Sequence, residues 1–220
     1  MKNDHPIHII LVGAGATGSA FAHHLARLQI IMEKMNIFFN VTVIDMGEVK
    51  ENNIGKQSFT PVAQGINKAS AVVMQINRFY GLIWAARNAD AIKTDVGCAD
   101  ILISAVDTVK ARKAISNKSV YWLDMGNMRH HGQVILGYKG EKKEDNLPSI
   151  LDLYPKMKED NDEPSCSVFE SIAKQSLFVN DMAAVLGGIL LSDLLLKKQI
   201  DYSGYFFNIN NCMTTKLKIK

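Results

Sequence analysis

The 220-residue chain has little of what would assign it to a specialised class. It carries only three cysteines, Cys98, Cys166 and Cys212. These are too few and too far apart for a disulfide framework or a four-thiolate zinc site. The longest apolar stretch, 182–191, is about half of the ~20 residues that a membrane-spanning helix needs. The first residues include no long apolar segment followed by a cleavage site, which argues against a secretory leader. Charge of either sign is not in excess: 25 Lys and Arg against 22 Asp and Glu leave a net +3. The cations are scattered, whereas a nucleic-acid footprint needs them clustered. Internal repeats and an interdomain linker are also lacking. What remains, 47% hydrophobic and 21% charged residues, is the make-up of a soluble globular protein with enough chain to bury a core. The expectation is one domain over 1–220, in a reduced cytoplasmic setting, with neither nucleic acid nor membrane as partner.

The patterning alternates. His8-Ile9-Ile10-Leu11-Val12 is a short apolar run that suits a strand buried on both faces. A helical pattern follows to about Lys34, then a β-rich run over 40–44 ending at Asp45. A helix is expected over 67–80, a strand over 83–86 and a buried strand over 100–106 that ends at Asp107. The next helix carries Val109, Ala111, Arg112 and Ile115, and two more strands are read over 120–123 and 133–137. Strands alternating with helices predict an α/β fold: a mostly parallel sheet with helices on both faces. Residues 139–165 are polar and aperiodic and read as a mobile crossover loop, with a short apolar patch at Leu147, Ile150, Leu151, Leu153 and Tyr154. Beyond it, 177–197 predicts a helix apolar enough to be buried. An antiparallel hairpin closes the chain, with strands over 202–209 and 213–219 around Asn210-Asn211. Trp84 and Trp122 are expected in the core, as are Cys98 and Cys212. His130 and His131 lack a third ligand and the spacing of a metal pair.

Gly13, Gly15 and Gly18 form G-x-G-x-x-G between a strand and a helix, the Rossmann-like arrangement. The first glycine permits a tight turn, the second lets backbone approach a phosphate, and the third lets helix pack on strand. The exposed N–H groups and the helix dipole then face an anion. Asp45 ends the second strand, 27 residues after Gly18, where a carboxylate can accept from ribose hydroxyls. It is equally placed to cap the turn at Met46-Gly47. On these residues alone NAD and an adenine nucleotide both remain open.

The stretch after Asp45 is more specific. Val43-Ile44-Asp45-Met46-Gly47-Glu48-Val49-Lys50-Glu51-Asn52-Asn53-Ile54-Gly55-Lys56-Gln57 resembles the D-x-D-x-V-x-x-S-N-L-x-R-Q signature of the ThiF, MoeB and ubiquitin-activating enzyme superfamily. Asn67-Lys68-Ala69 is similar to its lysine segment. Ser104-Ala105-Val106-Asp107-Thr108, followed by Arg112, is similar to its CTDN…R strand end. Glu163-Pro164-Ser165-Cys166-Ser167 is similar to the segment bearing its cysteine. Within the superfamily the wording of NIGKQSF, YWLDMGN, LDLYP and EPSCSVFESIAKQSLFVN is most similar to the ThiF-family proteins of PRTRC cassettes.

The resemblance implies an ATP-dependent adenylating enzyme whose usual substrate is the C-terminal glycine carboxylate of a small ubiquitin-like protein, and a homodimer. Bringing a carboxylate against a phosphate joins two anions, so the task falls to Mg²⁺, cations and positioning. Carried over by matching positions, Asp107 holds Mg²⁺, Lys68 and Lys56 contact phosphate oxygens, Asn53 and Gln57 add neutral hydrogen bonds, and Asp45 takes the ribose. Cys166 is the candidate for a later thioester. Four departures stand out. Lys56 replaces arginine and loses its planar fork; Gly47 stands where many relatives have aspartate; Thr108 replaces asparagine; and the paired CxxC motifs of zinc-binding relatives are missing. Two readings compete with adenylation: an NAD-dependent oxidoreductase, which the glycine loop alone permits, and a non-catalytic nucleotide-binding scaffold.

Overall fold

Four apolar runs join in parallel before any antiparallel pairing enters the sheet. The computed structural model describes residues 5–97, 99–116, 121–140, 146–157, 176, 178–197 and 200–219. Strand β1 (Ile7–Val12) lies between β2 (Phe39–Ile44) and β4 (Ile101–Ser104), parallel to both. β5 (Tyr121–Asn127) extends the parallel sheet beyond β4, and β3 (Ala85–Arg87) edges it beyond β2. β6 (His131–Tyr138), β7 (Tyr202–Asn208) and β8 (Met213–Lys218) then add antiparallel pairings. The sheet has eight strands in the order β3-β2-β1-β4-β5-β6-β7-β8.

Burial on both sides explains why β1 reads as an unbroken apolar run. Ile9 and Leu11 face one core, with α1 (Ala16–Glu33), α2 (Lys68–Tyr80) and α5 (Val179–Leu196). Ile10 and Val12 face the other, with Ile115 of α3 (Val109–Ile115) and Ile150 of α4 (Ile150–Leu153). The strand's period of two assigns alternate side chains to opposite faces. Helix starts are fixed locally. The Asn67 side chain accepts from Ser70 N at 3.1 Å and donates to the carbonyls of Asp45 and Gly47, which ties the start of α2 to the exit of β2. The Thr108 hydroxyl accepts from Ala111 N at 3.2 Å and caps α3. Within the polar stretch that follows β6, residues 146–157 dock through Ile150, Leu151 and Leu153 onto the second core.

Three expectations are corrected. The third strand is short and exposed, and it starts after Trp84. The Asn77 side chain takes Trp84 N and O at 2.8 and 3.0 Å, which removes them from the ladder while the indole is buried. Helix α5 is half-covered: Val185, Ile189 and Leu196 are exposed. Cys212 is not a packing residue. It is an exposed free thiol in the β7–β8 turn with φ of 54°.

Candidate active site

The carboxyl ends of β1, β2, β4 and β5 meet at one edge of the sheet, and every described candidate residue lies in the loops or first helical turns that leave it. In open α/β sheets this crevice is where ligands bind. Gly13 turns out of β1 with φ of +91°, and a Cβ there would lie 2.4 Å from the carbonyl oxygen of Ala105. A Cβ on Gly18 would sit 1.9 Å from the carbonyl oxygen of Gly13. These two glycines let the loop close on β4 and on its own helix. Among the described residues nothing lies within 4 Å of a Cβ on Gly15, at the N-cap of α1. These residues leave the helix N-terminus open, where N–H groups and dipole favour an anion.

Asp45 serves as the clamp between the two loops. Its Oδ2 accepts from Ala14 N and its Oδ1 from Gly47 N, both at 2.7 Å. Capping the turn leaves lone pairs on both oxygens, so a ribose hydroxyl remains a possible further donor. The Lys68 side chain runs over Gly47: a Cβ there would meet Asp45 Oδ1 at 3.0 Å and Lys68 Cδ at 3.6 Å. A side chain at this position would press on the Asp45 carboxylate and meet the lysine stem at ordinary van der Waals distance.

Asn53 is the keeper of its own loop. Its Oδ1 accepts from Lys50 N at 3.0 Å, closing the short turn of Glu51–Asn53, and its carbonyl accepts from Gln57 N at 2.8 Å. The loop is tied to α1 by Ser58 N, which donates to Ser19 Oγ at 3.1 Å. Buried Gln57 Oε1 has no donor among the described residues, a feature that native sites reserve for a missing partner. Burial pulls the Lys56 ammonium below the usual lysine value; the charge of Asp107 opposes this and that of Lys68 adds to it. Lys68 and Asp107, from two other segments, thus both lie within electrostatic range of Lys56. Cys166 lies outside the described residues.

Two constellations at the same edge escaped the sequence. On one face of β5, Asn127 Nδ2 donates to Thr17 Oγ1 at 2.8 Å and to Asn180 Oδ1 at 3.0 Å, while Thr17 Oγ1 donates to Asn180 Oδ1 at 2.8 Å. On the other face Arg112 Nε donates to both oxygens of Asp124 at 3.0 and 3.2 Å. Ser104 Oγ donates to Asp124 Oδ1 at 2.6 Å, and Trp122 Nε1 donates to that hydroxyl at 2.8 Å. Burial pushes the Asp124 carboxyl up, against the opposing pull of Arg112 and Ser104. Arg112 was visible in the sequence as part of a motif. Its partner Asp124 sat unremarked inside an apolar strand, where a lone carboxylate was the available signal.

A glycine turn, a strand-end carboxylate and paired ammonium groups on this sheet define a nucleotide-binding α/β protein of Rossmann-like architecture. More closely, the chain belongs to the ThiF family, whose model matches residues 4–219. Among solved structures it is similar to PaaA, with a TM-score of 0.68 at 14% identity over 97% of this chain and 73% of that one. It is also similar to E. coli MccB solved with ATP, with a TM-score of 0.66 at 15% identity, and to MccB with MccA-N7isoAsn, with 0.68 at 14%. Those matches cover 96% of this chain but only 63% and 64% of MccB. At such identities the likeness is one of fold. No curated protein matches.

Proposed function

We propose that the protein activates a carboxylate by ATP-dependent adenylation, and that the carboxylate is the C-terminal glycine of a small ubiquitin-like protein. The observation that carries this reading is that Lys56, Lys68 and Asp107 stand in segments leaving the same sheet edge as the glycine turn, with Lys68 and Asp107 both within electrostatic range of Lys56. The set fits ATP: two ammonium groups suit its phosphates, the orphan Gln57 Oε1 suits a hydroxyl or amine donor, and Asp45 suits the ribose. Exposed Asp107 is the residue to hold Mg²⁺. ATP supplies the electrophilic α-phosphorus and the pyrophosphate leaving group; the chain's own part is to hold two anions together and offset their repulsion. A hydride-transfer site has no need of this cation pair. The neighbours solved with ATP and with MccA support a nucleotide together with a second partner.

Membership of the PRTRC-cassette branch is part of the same proposal, supported by the sequence wording, as is a cytoplasmic setting. So is a homodimer. Exposed Ile31, Val185 and Ile189 line a groove between α1 and α5 that also presents Arg27 and Asp193. An exposed apolar strip of this kind supports self-association on this face. The direct test of the activity is ATP–pyrophosphate exchange with glycine-ended ubiquitin-like proteins. Exchange that depends on one of them is expected. Tight nucleotide binding with no exchange for any of them would favour the scaffold reading.

A further inference from the structure

The adenylation reading accounts for the cations that reach the crevice from the β2 side, but it leaves Arg112 unused on the β5 side. That residue is 7% exposed, and among the described residues only its Nε is engaged within the side chain, by Asp124. Among the described residues no acceptor meets its two Nη nitrogens. A guanidinium carries five N–H donors in a rigid plane, so the Nη groups of a nearly buried side chain are left with hydrogens to place. A second donor converges there. Gly126 pairs with Gln133 across the β5–β6 ladder, and a Cβ on Gly126 would lie 2.5 Å from Gln133 Nε2 and 3.1 Å from Arg112 Nη2. No acceptor among the described residues meets that amide either. The missing side chain of Gly126 thus lets two N–H donors, Gln133 Nε2 and Arg112 Nη2, come together over the strand backbone, one residue before the carboxyl end of β5.

Asp124 fixes the plane of the guanidinium through Nε, and Ser104 and Trp122 fix Asp124 in turn. The free edge is therefore preorganised, and its donors match the spacing of two oxygens on one carbon. We propose that Arg112 and Gln133 receive the oxygen atoms of the acyl substrate, its terminal carboxylate and the last peptide carbonyl, while Lys56 and Lys68 receive the nucleotide. This rests on the adenylation reading and deepens it. Arg112 and Gln133 bind substrate, and Asp124 is a positioning residue that acts through Arg112. The site explains why the strand carries glycine at 126: any side chain there would push the two donors apart.

The test uses the full-length protein with ¹⁵N-labelled arginine guanidinium groups, observed by NMR. The probes are glycylglycine and, separately, Mg²⁺ with a non-hydrolysable ATP analogue. Glycylglycine is expected to move the Arg112 guanidinium signals, and the nucleotide to leave them in place. Gln133→Leu and Gly126→Ala should each weaken glycylglycine binding about tenfold, the loss of a hydrogen bond to a charged group, with nucleotide affinity unchanged. Both variants leave the Arg112–Asp124 pair intact and so keep the test open should Arg112→Lys not fold. Nucleotide binding without any dipeptide effect at Arg112, or unchanged dipeptide affinity in both variants, overturns the assignment and leaves the adenylation reading standing. Failure of the nucleotide to bind at all takes both down.

Discussion

Lys56 occupies the position of arginine in the family signature, and the replacement makes the site sensitive to alkali. An arginine stays charged throughout the accessible pH range. The Lys56 ammonium, pulled below 10.5 chiefly by burial, loses its proton at lower pH than an ordinary lysine. If it holds phosphate oxygens, exchange activity must fall as pH rises through that lowered value. Lys56→Arg should shift this alkaline limb upward while preserving activity near neutrality. Superimposable pH–rate profiles for the two proteins would assign the limb to another group. Asp107 differs in kind, being exposed and remote from either core. Asp107→Ala is expected to reduce pyrophosphate exchange at least about 100-fold, the scale of losing one preorganised electrostatic group. Its unfolding midpoint should match that of the wild type. Wild-type exchange in the variant would refute the metal-holding role.

At the scale of elements, the start of α5 is held to α1 and β5 by the Thr17–Asn127–Asn180 cluster, and none of the three tolerates the loss of another. Asn180 is buried, and Asn180→Ala removes the acceptor shared by the other two. Leaving buried donors short of a partner costs about 1–3 kcal/mol. Urea unfolding should show a lower midpoint with an unchanged slope; an unchanged midpoint would mean that water replaces the amide at no cost. This contact also marks the limit of what the sequence could show. The glycine loop, the run that became β1, the Asn67 cap and the terminal hairpin are local signals, each carried by a few adjacent residues, and the fold was legible from them. The family signature named Asp45, Lys56, Lys68 and Asp107 as candidates from residue type and spacing. Thr17 and Asn180 are 163 residues apart, and no periodicity connects them. Trp84 misled for a related reason: its apolar neighbours read as strand, but the Asn77 side chain had already claimed its backbone. Composition failed in a third way at α5, since an apolar helix is equally an internal element and an interface.

That last ambiguity belongs to the whole molecule. Helix α5 is long and apolar enough to cross a membrane on length and composition alone. Its inner residues, Val179, Ala183, Leu186 and Leu190, are accounted for by packing in the first core. Its outer residues are not. Val185 and Ile189 stand one turn apart on the exposed side, and Ile31 of α1 borders the same groove. A protein that leaves a contiguous apolar strip in water exposes a surface that favours association. A net +3 over the whole chain is too small to oppose pairing by general repulsion. Sedimentation equilibrium should therefore give twice the 24.4 kDa chain mass. Val185→Asp with Ile189→Asp should return it to the single-chain value, because two carboxylates on each copy would face their counterparts without cationic partners. Both residues point out of the core, so the monomer formed in this way should keep its far-ultraviolet circular dichroism. A double variant that remains dimeric would exclude the α1–α5 face as the interface. One that becomes monomeric and still binds nucleotide would show that the crevice is built within one chain, with pairing a separate property of the opposite side of α1.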